Sequence, residues 1–397
     1  MLTSFKAPSL SEMSPVRSDS LLALIALAKA EVRPDKIDVG VGVFRNGEGR
    51  TPVLSSVKEA ERRLLETQDS KSYLGGAGDT RFAEVLRPIV LGAHATDTRI
   101  AGVQAPGGTG AVYLSLRLAA AANPDARVIL GRPTWPNHPA LIQGTELEIV
   151  EYPFYDRDEA QIDFDAMISA LRDARSGDIA LLHGCCHNPT GADLNEAQWR
   201  DVVDVVVDRG LLPLIDLAYQ GFGRGLEQDA VGVRMMLDAC DEVLVAQSCD
   251  KNFGMYRDRV GCFFVKTRSA DSSATAMAHV LQLAREAWSM PPDHGAAAVR
   301  IVLEDDALRA AWEGELDAMR ERIANVRERI AASDERLAYI ADQYGMFSML
   351  PLTPEQVHAL RDKHAIYMAD SGRINVVGMS DDAVDRFTAA IIEAMDG

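Results

Sequence analysis

Short continuous apolar runs recur through the middle of the chain: Arg127–Leu130, Leu147–Tyr152, Ile179–His183, Leu211–Asp216, Glu242–Ala246 and Arg259–Val265. Helix-length segments, such as Asp163–Ala174 and Glu196–Arg209, lie between several of them. Apolar strands alternating with helices predict an α/β unit, a mainly parallel sheet buried on both faces. From about Asp305 the pattern changes. Residues Asp305–Glu335 read as one long charged helix without proline, followed by a strand-like piece at Gly345–Leu350. A helix opens at Thr353-Pro354-Glu355, where threonine caps and proline takes the first turn. A hairpin-like segment, Ile366–Val377, and a last helix complete a smaller α+β unit. The expected division is an N-terminal arm with part of the small domain (1–45), a large domain (46–304), and the linking helix with the small domain (305–397). No repeat or low-complexity tract interrupts it.

Composition narrows the partners. The 397 residues carry a formal net charge of −18, a surface that repels nucleic acid and anionic lipid. A few local arginines still suffice for a small anionic substrate. Leu21–Ala30 is apolar but too short to span a bilayer, and reads as a surface helix. The N-terminus lacks the pattern of a secretion signal. Five cysteines show no CxxC or zinc spacing, which predicts idle thiols in a reducing, cytoplasmic compartment and no metal.

Candidate chemistry sits at strand ends, where open α/β sheets bind ligands. Ser248-Cys249-Asp250-Lys251-Asn252-Phe253-Gly254 follows one run, with Arg257 and Arg259 beyond it. A lysine beside a hydroxyl and an arginine suits a phosphate-bearing aldehyde; alone, a lysine after a strand is usually just a solvated loop residue. Asp216 closes another run, where an aspartate is also a common helix cap. His183 leads into Gly184-Cys185-Cys186-His187-Asn188-Pro189-Thr190-Gly191, which on its own is ordinary turn chemistry. Pro106-Gly107-Gly108-Thr109-Gly110 precedes a helical stretch, Ala111–Ala122. Glycines there let backbone N–H groups approach a phosphate, although neither a P-loop nor GxGxxG is present.

Taken in order, PGGTGA, RPTWPNH, HGCCHNPTG, DLAYQGF, KNFG with Arg259 eight residues on, and SGRINV resemble the fold-type I, class I aminotransferases. The likeness is to the aspartate and aromatic-amino-acid subfamily and runs from about Asp38 to Gly378. It implies a seven-stranded, mainly parallel sheet in a large domain that binds pyridoxal 5'-phosphate. Lys251 would carry the cofactor as a Schiff base and then shuttle a proton. Asp216 would face the pyridine nitrogen, Tyr219 and Asn188 the phenolic oxygen, and Trp135 the ring face, with His138 and His183 behind. The phosphate would rest on Gly108, Thr109, Ser248 and Arg259, with Tyr73 reaching in from the other subunit of a homodimer. Arg373, with Gly42, Trp135 and Asn188, would hold the substrate α-carboxylate. Arg285 would cross the interface to a side-chain carboxylate.

One departure stands out: the family usually has serine where Asp250 lies. A carboxylate beside a phosphate is repulsive unless it turns to Arg257, Arg259 or solvent, or takes a proton. Substrate signals are mixed. Ser72 and Met290 replace asparagines common in strict aspartate enzymes, and LLPLIDLAYQGFG and SCxKNFGxYRxR look aromatic-type, while Val43 and Thr51 look aspartate-type. The expectation is transamination between aromatic amino acids and/or aspartate and 2-oxoglutarate. The alternatives are a strict aspartate aminotransferase, a β-lyase or decarboxylase on the same scaffold, and a cofactor-sensing regulator.

Overall fold

The computed structural model describes Met13 and residues 20–397; the remainder of the expected arm, residues 1–12 and 14–19, lies outside the described residues. A seven-stranded sheet forms the centre. In chain order its strands are β1 (Ile100–Pro106), β2 (Arg127–Arg132), β3 (Glu148–Pro153), β4 (Ile179–His183), β5 (Leu212–Leu217), β6 (Val243–Ser248) and β7 (Val260–Lys266). Their spatial order is β1-β7-β6-β5-β4-β2-β3. All neighbouring pairs are parallel except those of β7, which runs antiparallel to both β1 and β6. The sheet is therefore mainly parallel, as expected, and β5, β6 and β7 are buried along nearly their whole length. Crossover helices explain why such apolar strands show no alternation: both faces are covered.

β1 was not among the expected strands. Its sequence, IAGVQAP, is broken by Gly102 and Gln104. Gly102 is small because the Phe264 ring lies 2.6 Å from where its Cβ would be. Gln104 is buried, and its side chain accepts from Asp79 N–H and donates to Pro292 O.

Three further expectations are corrected. The helix expected from Ala111 begins at Gly107, so the glycines form its first turn. The helix expected over Asp305–Glu335 runs Asp306–Ala331, with Asp305 as its cap. Asp334 then opens a separate 3-10 segment, Glu335–Asp342, by accepting from Arg336 N–H. The Ile366–Val377 hairpin is not a ladder. Ile366–Tyr367 pairs in parallel with Ile37–Asp38, and Arg373–Asn375 pairs antiparallel with Phe347–Met349. The chain does turn at Ala369–Gly372, but each arm spends its edge on a different partner.

The Thr353 cap is observed, with a full capping box through Gln356. Asn375 ties the N-terminal segment to the C-terminal part by donating to Val41 O and Val43 O, both at 2.7 Å. The Asp306–Ala331 helix is anchored by buried Trp312, whose indole stacks on Phe253 at 4.3 Å and donates to Asn252 O. Phe253 and Asn252 directly follow Lys251, so this packing fixes the loop that carries the lysine.

Candidate active site

The site lies at the carboxyl ends of β4, β5 and β6. Asp216 sits inside β5 beside His183 of β4, in register. Its Oδ2 is 3.0 Å from His138 Nε2, and Thr134 Oγ1 lies 2.8 Å from His138 Nδ1. Burial pulls the Asp216 pKa upward. The hydrogen bond and charge of His138, then His183 and Lys251, outweigh that and hold it below the ordinary carboxylate value. The group stays ionised in a buried place, and among the described residues its Oδ1 has no partner.

Behind it three histidine rings follow one another. His138 and His183 have centroids 5.1 Å apart, and His183 and His187 4.1 Å. His187 stacks on Phe154 and meets Thr190 Oγ1 at 2.8 Å. Burial, then His138, pushes the His183 pKa down to about 3; burial, then its two neighbours, pushes His187 well below its ordinary value. Both are neutral when folded yet titrate near 6.5 when unfolded. Below that pH the unfolded chain binds more protons, so stability is full above about 6.5 and falls as pH drops. Between pH 7 and pH 5, wild type should lose about 2 kcal/mol more than His187→Gln. Urea unfolding at the two pH values measures this, and equal losses would contradict it.

Lys251 lies one short step beyond β6. Its Nζ is 5.2 Å from the centre of the Tyr219 ring. Burial pushes its pKa down, against the pull of Asp250 and Asp216, which favours the neutral, nucleophilic amine. Tyr219 is buried, and burial, then the Asp216 charge, raises its pKa. Asn188 lies against it, with its Oδ1 unpartnered. Trp135 meets His138 edge-on at 5.1 Å. Lys251, Asp216, Tyr219, Asn188, His138 and Trp135 are thus brought together from four separate stretches of chain.

A second cluster adjoins the first. Gly107, Gly108, Thr109 and Gly110 form a helix N-terminus with free backbone N–H groups. Gly107 has φ +68°, and a Cβ there would lie 2.6 Å from both Arg259 Nη2 and Asp250 Oδ2. Ser248 faces Gly108, its Cβ 3.1 Å from where a Cβ would sit. Arg259 holds φ +58°, a costly conformation for a non-glycine residue. This concave group of N–H donors, a hydroxyl and a guanidinium is a ready-made anion cradle. The open question about Asp250 is resolved: it turns to Arg259, not to Arg257 or solvent.

Arg373 reaches toward the same space from Arg373–Asn375. It is buried, donates from Nη2 to Gly40 O at 2.8 Å, and lies 5.0 Å from the Phe347 ring. Among the described residues, its Nε has no partner and it has no carboxylate counterion. Phe347 in turn meets Tyr219 edge-on at 5.9 Å. Gly42 is small because a Cβ would come within 2.7 Å of Phe347. Phe347, Thr134 and His187 were assigned no role from the sequence; Thr134 and His187 lay within quoted motifs, Phe347 did not. Among the described residues, Tyr73 and Arg285 do not join the cluster by any hydrogen bond or ion pair. Tyr73 is 91 % exposed, and Arg285 is exposed in the last turn of Ala270–Ala287. Their segments are adjacent, since Leu74 N–H donates to Met290 Sδ.

The buried groups without partners fit pyridoxal phosphate. Asp216 Oδ1 is a free acceptor for a protonated ring nitrogen, the Asn188 side-chain amide nitrogen is a donor suited to a ring oxygen, and the cradle suits a phosphate. The class I and II aminotransferase family profile matches residues 34–391. A tyrosine aminotransferase of Rhizobium meliloti (strain 1021) is 49 % identical over 365 residues, covering 91 % of this chain and 94 % of its own. An aspartate aminotransferase of Escherichia coli (strain K12) is 41 % identical, covering 95 % and 98 %. The solved structure of an aromatic-amino-acid aminotransferase from Burkholderia pseudomallei, covalently bound to pyridoxal phosphate, superposes with a TM-score of 0.94 at 38 % identity, covering 98 % and 100 %. A lysine at a strand end, a buried carboxylate near it and an anion cradle, on a sheet of this order and with relatives this similar, place the chain in the class I and II aminotransferase family.

Proposed function

We propose that the protein is a pyridoxal-phosphate transaminase that moves an amino group from aromatic amino acids and from aspartate to 2-oxoglutarate, in two half-reactions. The observation that carries this is Lys251 over the ring of buried Tyr219, close to buried Asp216, with buried Arg373 joined to the same cluster through Phe347 and without a carboxylate counterion among the described residues. Relatives named for tyrosine, aromatic amino acids and aspartate support both substrate classes.

Bound in this pocket, pyridoxal phosphate supplies an aldehyde that takes the amino group and an electron-poor ring that accepts the electron pair left at Cα. The chain's residues do the rest. Asp216 would keep the ring nitrogen protonated, with His138 and Thr134 fixing its orientation. Tyr219 and Asn188 would donate to the ring oxygen. Gly108, Thr109, Ser248 and Arg259 would hold the phosphate, and Trp135 would cover the ring face. The Lys251 amine would move the proton between the substrate Cα and the cofactor C4' carbon. Arg373, steadied by Gly40 O and Phe347, would clamp the α-carboxylate.

Tyr73 and Arg285 we assign to the site of a second copy, in a homodimer with shared active sites. Their exposure on one patch supports that reading. We divide the chain into 1–45, 46–304 and 305–397, supported by the pairing of Ile37–Asp38 with Ile366–Tyr367. Five buried, unbridged thiols support a cytoplasmic setting. Among the described residues, no helix is long and apolar enough to cross a membrane.

The test supplies pure protein with cofactor, 2-oxoglutarate and, in turn, aspartate, phenylalanine and tyrosine, and measures glutamate. Glutamate should form with all three. Formation with aspartate alone would reduce the reading to a strict aspartate enzyme.

A further inference from the structure

We propose that Asp250 sets the grip on the cofactor phosphate: paired with Arg259 inside the cradle, it competes with the phosphate for that guanidinium and keeps a negative charge beside it. The inference rests on the pyridoxal-phosphate reading of this pocket. It comes from the one position where the chain departs from the serine usual in the family.

The carboxylate is built in. It is 1 % exposed. Its Oδ1 accepts from Val260 N–H at 2.8 Å, and its Oδ2 pairs with Arg259 Nη1. Asp250 N–H donates to Ser248 Oγ at 3.2 Å, so the residue also touches the hydroxyl assigned to the phosphate. The open space of Gly107 brings Asp250 Oδ2 and Arg259 Nη2 together against the helix N-terminus, each 2.6 Å from where a Cβ would sit. The basic groups around Asp250 are Lys251 and Arg259; burial raises its pKa against their pull. An arriving phosphate therefore meets a guanidinium already engaged and a carboxylate with no path to solvent. Repulsion between charges a few ångströms apart is only partly screened here, since Asp250 is buried although the Arg259 side chain is 41 % exposed. A hydroxyl at this position would add a donor and remove the charge. The expected consequence is weaker retention and faster exchange of the phosphorylated cofactor.

The test is cofactor affinity, not turnover. Cofactor-free protein is titrated with pyridoxal phosphate, and separately with pyridoxal, which lacks the phosphate. Asp250→Asn preserves shape and the acceptor for Val260 N–H while removing charge; Asp250→Ser restores the family residue. Both should bind pyridoxal phosphate at least about tenfold more tightly than wild type, with pyridoxal unchanged. Inorganic phosphate should also compete at lower concentration in both variants. Equal or weaker binding of pyridoxal phosphate by Asp250→Asn would overturn the inference, as would an equal gain for pyridoxal. Failure of wild type to bind pyridoxal phosphate covalently at all is a separate outcome that would sink the functional reading itself.

Discussion

Lys251→Ala is expected to lower turnover by about 10⁴-fold or more while leaving the fold intact. Two contributions are lost together. The amine that takes the aldehyde is gone, and so is the base that moves the Cα proton, which by itself is worth about 10²–10⁴-fold. Burial lowers the Lys251 pKa, so the amine is poised for both tasks. No neighbouring residue substitutes: His183 and His187 lie behind Asp216, and Tyr219 is pushed to a raised pKa. The loop itself should hold, because Asn252 and Phe253 are pinned by Trp312. The measurements are turnover, the absorbance of the lysine-linked cofactor, and far-ultraviolet circular dichroism. Near-normal turnover with the absorbance lost would assign the chemistry elsewhere.

Arg373→Leu should depress every substrate, whereas Arg285→Leu should depress only those with a second carboxylate. A charge-assisted hydrogen-bonded fork is worth roughly 1.5–3 kcal/mol, and each 1.4 kcal/mol is about tenfold. Arg373→Leu should therefore cost phenylalanine and aspartate alike about ten- to a hundredfold or more in kcat/KM. The loss reaches further because Arg373 also bonds Gly40 O and packs on Phe347. Arg285→Leu should cost aspartate a similar factor and phenylalanine little. Single-turnover rates of both variants with both amino acids test this without the added need of 2-oxoglutarate for Arg285. Mixing Arg285→Ala with Lys251→Ala protein then asks whether the arginine acts across subunits. One of the two hybrid sites carries neither lesion, so activity should return as subunits exchange. Equal damage to phenylalanine and aspartate by Arg285→Leu would make that arginine structural.

The sequence announced the strands that are apolar throughout. LLPLID reads as a buried strand because both faces are covered, and its aspartate falls at the ligand end for the same reason. IAGVQAP hid because Gly102 yields space to Phe264 and Gln104 spends its amide on distant backbone, features of tertiary packing with no local signature. The Asp305 cap and the break at Asp334 are local hydrogen-bond choices within a uniformly helix-prone stretch, so composition carried the expected helix too far. The strands at 366–367 and 373–375 were visible as strands, but their partners lie hundreds of residues away or across the small unit, and proximity in sequence suggested the wrong pairing. Within the site, Lys251, Asp216, Tyr219 and Asn188 were legible because each sits in an ordered motif. Phe347 was not, since a lone aromatic in a short strand looks like any core residue; its role beside Arg373 and Gly42 appears only in three dimensions. The direction taken by Asp250 was likewise a matter of which cation lay nearest, and spacing alone left several choices open.

The central claim is amino-group transfer in two separable halves, and the isolated first half tests it most directly. Cofactor-loaded protein is mixed with phenylalanine or aspartate in the absence of any oxo acid. The account predicts one equivalent of the matching 2-oxo acid per site, cofactor left in its aminated form, no free ammonia, and full recovery of the starting absorbance on adding 2-oxoglutarate. Continuous release of product without an added acceptor, with ammonia or carbon dioxide set free, would contradict it and identify a lyase or decarboxylase.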